Sequence, residues 1–308
     1  MKQQGTVFKF LFGMVWLTGW LGGSAVAALA PLQVVTTTGM VNDLVARVGG
    51  DQITTQPLMG AGVDPHLYKA TATDIVKLQR AEVIFYSGFM LEGKMTEVFE
   101  RMARQKKRVH AITERLDPAS LLQPPAFDGH PDPHVWFDIA LWVGCVDPIA
   151  QRLTEARPEA RAVFEGNAAN LKVALAELHA WAKVKAAELS AEQRVLVTSH
   201  DAYNYFGRAY GFQVVGLQGI STVSEAALSD MAKLVDFIKE RRLKAIFVES
   251  SVPHATIERI AKDSGVRIGG ELFSDAMGTA GQIENGYDLG TYEGMFKHNL
   301  ITIVEALK

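Results

Sequence analysis

Residues 159–189 read EARAVFEGNAANLKVALAELHAWAKVKAAEL, and this stretch decides the architecture. Phe164, Ala168, Leu171, Leu175 and Leu178 recur every three or four residues, the spacing that gathers apolar side chains on one face of a helix. Ala, Leu, Lys and Glu dominate the segment, and no Pro or Gly interrupts it after Gly166, so local propensity agrees with the pattern. A single helix of about 30 residues would span about 45 Å, enough to run along two lobes as a stiff backbone. Two shorter helices meeting at a bend would satisfy the same pattern; the unbroken composition favours one.

Both flanks of this helix alternate short apolar strands with helical patterns. Before it, Leu32–Thr37 reads as a strand, Met40–Val48 as a helix stopped near Gly49-Gly50, and Val83–Tyr86 as a second strand. Ile75, Leu78 and Ala81 mark a helix between them, with Thr71 and Asp74 at its start. After it, Val195–Thr198, Phe212–Val215, Ala245–Val248 and Val266–Ile268 read as strands, separated by helices at Met231–Leu243 and Ala255–Asp263 and followed by Tyr292–Leu307. Strands alternating with helices imply α/β layering with mainly parallel sheets. The expected organisation is an N-terminal lobe over 31–158, the connecting helix over 159–189 and a C-terminal lobe over 190–308.

The chain has 308 residues, 48% of them apolar, which is ample for two cores. Lys and Arg number 31 against 34 Asp and Glu, a formal charge of -3, so no basic field invites nucleic acid. The N-terminus carries Lys2 and Lys9, an apolar run from Phe10 to Leu17 and an Ala-rich end at Ala25-Val26-Ala27-Ala28. This is the layout of a secretory signal over residues 1–28. A membrane anchor is the competing reading, disfavoured by the shortness of the apolar run and by Gly19, Gly22 and Gly23. The sole cysteine, Cys145, lies in an apolar stretch far from the cleavage region. We therefore expect a buried small hydrophobe, no intramolecular disulfide and no cysteine-linked lipid anchor.

Four polar positions sit at the ends of predicted elements. His66 lies in Gly62-Val63-Asp64-Pro65-His66, His134 in Asp132-Pro133-His134, His200 directly after the strand Val195–Thr198, and Asp275 after Leu272-Phe273-Ser274. Strand ends are where α/β folds bind ligands. Imidazoles with one carboxylate suit Zn2+ or another borderline divalent ion. Asp64, Asp132, Asp201 and Glu249 are candidates to hold the second ring nitrogens. The four are too far apart in sequence for a compact zinc-finger pattern, so their convergence is an inference from the fold. His130 competes for one place, although Pro131 and Pro133 forbid a helix carrying it beside His134. His110, His179, His254 and His298 read as structural or surface residues.

With these segments in view, the mature chain resembles the periplasmic zinc- and manganese-binding proteins of ABC importers. The resemblance rests on Gly62–Tyr68, Asp132–Asp138, Thr198–Phe206 with Tyr210-Gly211, and Leu272–Gly278. The stretch Tyr203–Ser224 is similar to the treponemal zinc/manganese-binding member. The resemblance implies two α/β lobes joined by one long rigid helix, with the metal between them. It also places metal ligands at His66, His134, His200 and Asp275. The expected function is capture of one divalent transition metal (Zn2+ or Mn2+, with Fe2+ admissible) in the periplasm and delivery to an inner-membrane permease. No enzymatic turnover is expected, and a monomer is the simplest assembly. The chain departs from dedicated zinc-binding members in lacking a His- and acid-rich loop before His134, having only Pro124-Pro125-Ala126-Phe127-Asp128-Gly129-His130 there. Two other classes compete. A zinc hydrolase would need an open metal position and a general base, for which Glu249 is the candidate. A metal-independent adhesin or interaction protein would not need His66 or Asp275.

Overall fold

The structure, a computed structural model, describes residues 1–2, 30–127 and 129–308. The export signal expected over 1–28 lies, beyond its first two residues, outside the described ones. No helix among the described residues is long and apolar enough to cross a membrane.

The first lobe begins with β1 (Leu32–Thr36) and α1 (Gly39–Gly49). Thr38, two residues past the strand, caps the helix, its hydroxyl accepting from the Val41 backbone N–H at 3.4 Å. There follow β2 (Ile53–Pro57), α2 (Ala72–Arg80), β3 (Val83–Tyr86), α3 (Met95–Arg104) and β4 (Val109–Ala111). Thr71 and Asp74, expected at the start of this helix, close a reciprocal capping box on α2. The four strands pair in parallel in the order β2-β1-β3-β4. The sequence reading did not find β2, α3 or β4. β2 has a single buried residue, Ile53, and stands at the sheet edge; β4 is three half-buried residues at the other edge. Neither carries the apolar run or alternation that marks a strand.

Short α4 (Ile139–Trp142) and α5 (Val146–Ala156) lead into α6 (Arg161–Ala186), preceded by a tight turn at Pro158–Ala160. The connecting segment is thus one helix of 26 residues, about 39 Å long. Its buried stripe is Phe164, Ala168, Leu171, Leu175, Leu178, Ala182 and Ala186, extending the periodicity read from the sequence. It packs on α1 and α5 from the first lobe and on α7 and α10 of the second.

The second lobe comprises β5 (Val195–His200), α7 (Asn204–Tyr210), β6 (Gln213–Gln218), α8 (Leu228–Arg241), β7 (Ala245–Glu249), α9 (Ala255–Ser264) and β8 (Arg267–Leu272). A small hairpin of β9 (Ile283–Glu284) and β10 (Tyr287–Asp288) precedes α10 (Tyr292–Leu307). β5 pairs with β6 and β7 with β8, both in parallel, and β5 lies beside β7. One apolar cluster runs from Leu32 through α6 to Leu307, so the two lobes share a core along the connecting helix. Cys145 is buried in it, and burial pushes its thiol well above the ordinary range. A second cluster fills the space between α8, α9 and strands β5, β6 and β7, and a third lies beneath α2 and α3.

Parallel strands present their carboxyl ends in one direction. The segments following β2, β4 and β8 carry His66, His134 and Asp275, and His200 is the last residue of β5, so both lobes deliver their candidate ligands into the space between them.

Candidate metal centre

The site is built from two copies of one local device. In Asp64-Pro65-His66, Asp64 Oδ1 accepts from the His66 backbone N–H at 2.8 Å. In Asp132-Pro133-His134, Asp132 Oδ1 accepts from the His134 N–H at 3.0 Å. An Asp side chain bonding the backbone two residues on makes a tight turn, and the intervening Pro fixes its dihedral. Each turn projects its imidazole inward: His66 is 5% exposed and His134 fully buried. Behind His134 the turn Val135–Phe137 is buried, and the Trp136 indole N–H donates to the Ser274 carbonyl at 3.1 Å. Behind His66, Gly93 takes φ +48°, and a Cβ there would stand 2.8 Å from the His66 carbonyl oxygen. Only glycine allows so close an approach.

From the second lobe, His200 ends β5 and Asp275 follows β8. Tyr203 Oη donates to the Phe273 carbonyl at 3.1 Å, and Asn299 brackets the Phe273 backbone with bonds of 2.9 and 2.7 Å, fixing the turn that carries Asp275.

The four side chains meet. Asp275 Oδ2 lies 3.1 Å from His200 Nε2 and 3.6 Å from His66 Nε2; Asp275 Oδ1 lies 3.3 Å from His134 Nε2. His66 Nε2 and His134 Nε2 are 3.4 Å apart, and all four donor groups fall within 4.8 Å of one another. Bonds of about 2.0–2.1 Å to a tetrahedral ion put neighbouring donors about 3.3 Å apart. The four separations of 3.1, 3.3, 3.4 and 3.6 Å match that edge. His200 Nε2 and both oxygens of Asp275 are buried without a hydrogen-bond partner among the described residues. Burying such groups unpaired is costly, and a cation at their centre would satisfy all of them.

The ring nitrogens facing away are held. Asp132 Oδ1 stands 2.7 Å from His134 Nδ1, and Glu249 Oε2 stands 2.5 Å from His200 Nδ1. Each carboxylate fixes the tautomer that leaves Nε2 free to bind an ion. Burial opposes charge on His134, yet Asp132 and Asp275 outweigh it and raise the imidazole to about 9. His200 is likewise raised well above its ordinary value, with burial overcome by Glu249 and Asp275. Burial also opposes the charged form of Asp275, but His200 and His134 hold it well below the carboxylate range. Among the described residues no carboxylate meets the outer nitrogen of His66, and burial pushes this imidazole down to about 3.

Of the four acids considered as imidazole partners, Asp132 and Glu249 fill that role. Asp64 bonds only the His66 backbone on that side, and Asp201 turns to the Gly216 N–H at 3.0 Å. His130 is exposed beside Phe127 and outside the cluster. His179, His254 and His298 spend ring nitrogens on Tyr210 Oη, the Glu249 carbonyl and the Glu271 carbonyl respectively. His110 lies against Phe85. Two contributors escaped the sequence reading: Asn204, whose amide donates to Asp132 Oδ2 at 3.2 Å, and Thr222, whose hydroxyl donates to Asp64 Oδ2 at 2.6 Å. Their bonds span 72 and 158 residues, and no local pattern announces them.

The likeness to known proteins agrees with this geometry. Residues 34–306 match the family described as zinc-uptake complex component A, periplasmic. The chain is 45% identical over 313 residues to the manganese-binding lipoprotein MntA of Bacillus subtilis, covering 99% of this chain and 100% of that protein. It is also 45% identical over 299 residues to the zinc-binding protein TroA of Treponema pallidum, covering 94% of each. The solved structure of the periplasmic zinc-binding protein TroA from Treponema pallidum superposes with a TM-score of 0.85, covering 91% of this chain and 99% of that one. The chain belongs to the TroA/ZnuA-like family of periplasmic metal-binding proteins, the substrate-binding components of ABC importers.

Proposed function

We propose that the protein captures one Zn2+ or Mn2+ ion through His66, His134, His200 and Asp275 and releases it to the permease of its importer. The observation that carries this reading is the buried convergence of three imidazole nitrogens and a carboxylate, with His200 Nε2 and both Asp275 oxygens left without hydrogen-bond partners among the described residues. Three neutral imidazoles and one carboxylate leave a divalent ion with one net positive charge, suited to carriage. In this reading residues 31–158 and 190–308 are the lobes, and 159–189 the stiff connector. Each chain supplies all four donors, which favours a monomer.

The relatives carry zinc in one name and manganese in the other at the same 45% identity, so likeness does not choose the ion. Nitrogen-rich sites bind Zn2+ more tightly than Mn2+, and we infer that order for affinity in solution. A hydrolytic reading is disfavoured because Glu249, its candidate base, is buried and has both oxygens engaged by His200. Metal stoichiometry of the mature protein, purified without an affinity tag, tests the proposal. One equivalent bound by the parent and lost in each of His134→Ala and His200→Ala supports it; an equivalent retained in both variants removes it.

A further inference from the structure

The two Asp-Pro-His turns differ in one respect. Asp132 uses Oδ1 on both the backbone N–H and the Nδ1 of His134, while its Oδ2 takes the Asn204 amide. Asp64 grips only the backbone of His66, and its Oδ2 reaches across to the hydroxyl of Thr222 in the loop after β6. Among the described residues, this is the one side-chain hydrogen bond from the 58–68 loop to the second lobe outside the four-residue cluster. The same loop touches the second lobe at Gly62. That residue has φ +71°, and a Cβ on it would stand 3.5 Å from the Ser250 carbonyl oxygen.

The contrast extends to the whole of each turn. The His134 turn is tied to the second lobe by the Trp136 indole on Ser274, by Tyr205 Oη on the Asp132 carbonyl, by Asn204 on Asp132, and by Tyr292 Oη on the Trp136 carbonyl. His134, His200 and Asp275 are therefore held by one buried, cross-braced framework. His66 stands apart from it on a partly exposed loop, whose side-chain hydrogen bond to the second lobe outside the cluster is the one from Thr222 to Asp64.

Building on the metal-capture reading above, we propose that Thr222 is a positioning residue that latches His66 against the three-donor platform and so sets how long the metal stays bound. Its hydroxyl donates to a carboxylate, the stronger kind of hydrogen bond, in a partly buried place. With the bond made, the Asp64 turn and the His66 imidazole are fixed relative to the second lobe. With it broken, the loop keeps its own Asp64–His66 bond but loses its anchor across the cleft, and His66 becomes the donor that can leave first. Thr222 touches neither the ion nor the imidazole; it acts through Asp64.

The test uses the full mature protein loaded with Zn2+, in Thr222→Val, Thr222→Ser and parent forms. Release is timed by trapping the ion with excess chromophoric chelator, and thermal midpoints are taken on the metal-free proteins. Val keeps the shape and removes the donor; Ser keeps the donor. We expect Thr222→Val to release Zn2+ about tenfold faster or more, the scale of one hydrogen bond to a charged group. Thr222→Ser should stay within about twofold of the parent, and the metal-free midpoints should coincide. In an Asp64→Ala background the Val substitution should have no further effect on release. Parental release from Thr222→Val, equally fast release from Thr222→Ser, or a metal-free midpoint that falls in step with release would overturn the latch. A parent protein that takes up no Zn2+ would instead remove the reading of the site on which the latch rests.

Discussion

Glu249, the last residue of β7, holds His200, the last residue of β5, at both ends: Oε1 accepts from the backbone N–H at 2.9 Å and Oε2 stands 2.5 Å from Nδ1. Two strand termini are thereby locked together, and the imidazole presents Nε2 to the cluster. Glu249→Gln keeps an oxygen for the backbone but offers Nδ1 an amide donor, which favours the tautomer with its proton on Nε2. We expect metal affinity to fall about 10- to 100-fold, measured by competition with a chelator of known strength. Parental affinity would show that the carboxylate does not set the tautomer.

Metal binding should release protons. Ligating imidazoles are neutral, whereas burial at His134 is overcome by Asp132 and Asp275, which raise it to about 9, and His200 is also raised. The metal-free protein thus holds more protons than the loaded one near neutral pH, so affinity rises with pH and falls as pH drops. Calorimetric titration with Zn2+ at pH 7 in buffers of different ionisation enthalpy should give apparent enthalpies that slope with the buffer value. A flat line would show that no protons leave.

Asp43 on α1 gives a pH effect away from the site. Burial raises its carboxyl from 3.8 to about 6, partly offset by Arg47. The folded protein holds this proton more tightly than the unfolded chain, so stability from this group is present below about pH 4 and is lost as pH rises to about 6. At about 1.4 kcal/mol for each pH unit the ceiling on that loss is about 3 kcal/mol. Asp43→Asn cannot ionise, and in the metal-free protein it should gain about 1–2 kcal/mol at pH 7.5 and little at pH 4. Denaturant unfolding at the two pH values checks this, and an equal effect at both would contradict it.

The connecting helix should carry stability through one face only. Leu175 is 1% exposed and lies in the shared core, while Val173 on the same helix is 60% exposed. Leu175→Ala should cost about 2–5 kcal/mol, and Val173→Ala no more than about 0.5 kcal/mol. Similar losses in both would mean that the helix is not seated as described.

The backbone helix was legible because 26 residues of amphipathic pattern leave little ambiguity, and strands such as Val83–Tyr86 because they are continuous apolar runs. β2 and β4 were not, since edge strands with half-exposed residues carry little pattern. The site was legible only in part. His66, His134, His200 and Asp275 are individually unremarkable in sequence, and the family resemblance singled them out together. Asp64, Asp132, Asp201 and Glu249 were all candidates to hold the outer ring nitrogens, and only the fold chooses among them: it brings Glu249 to His200 from 49 residues away and leaves Asp201 to Gly216. Thr222 meets Asp64 only because the two lobes close over the cluster.

The most direct measurement is metal content of the mature, untagged protein from medium of defined composition, compared with the His66→Ala/Asp275→Ala double variant. Metal capture at this site requires one equivalent of a divalent transition metal in the parent and none in the variant. No metal in the parent, with none retained after controlled addition to the metal-free protein, would contradict it and return the four residues to structural or partner-binding roles.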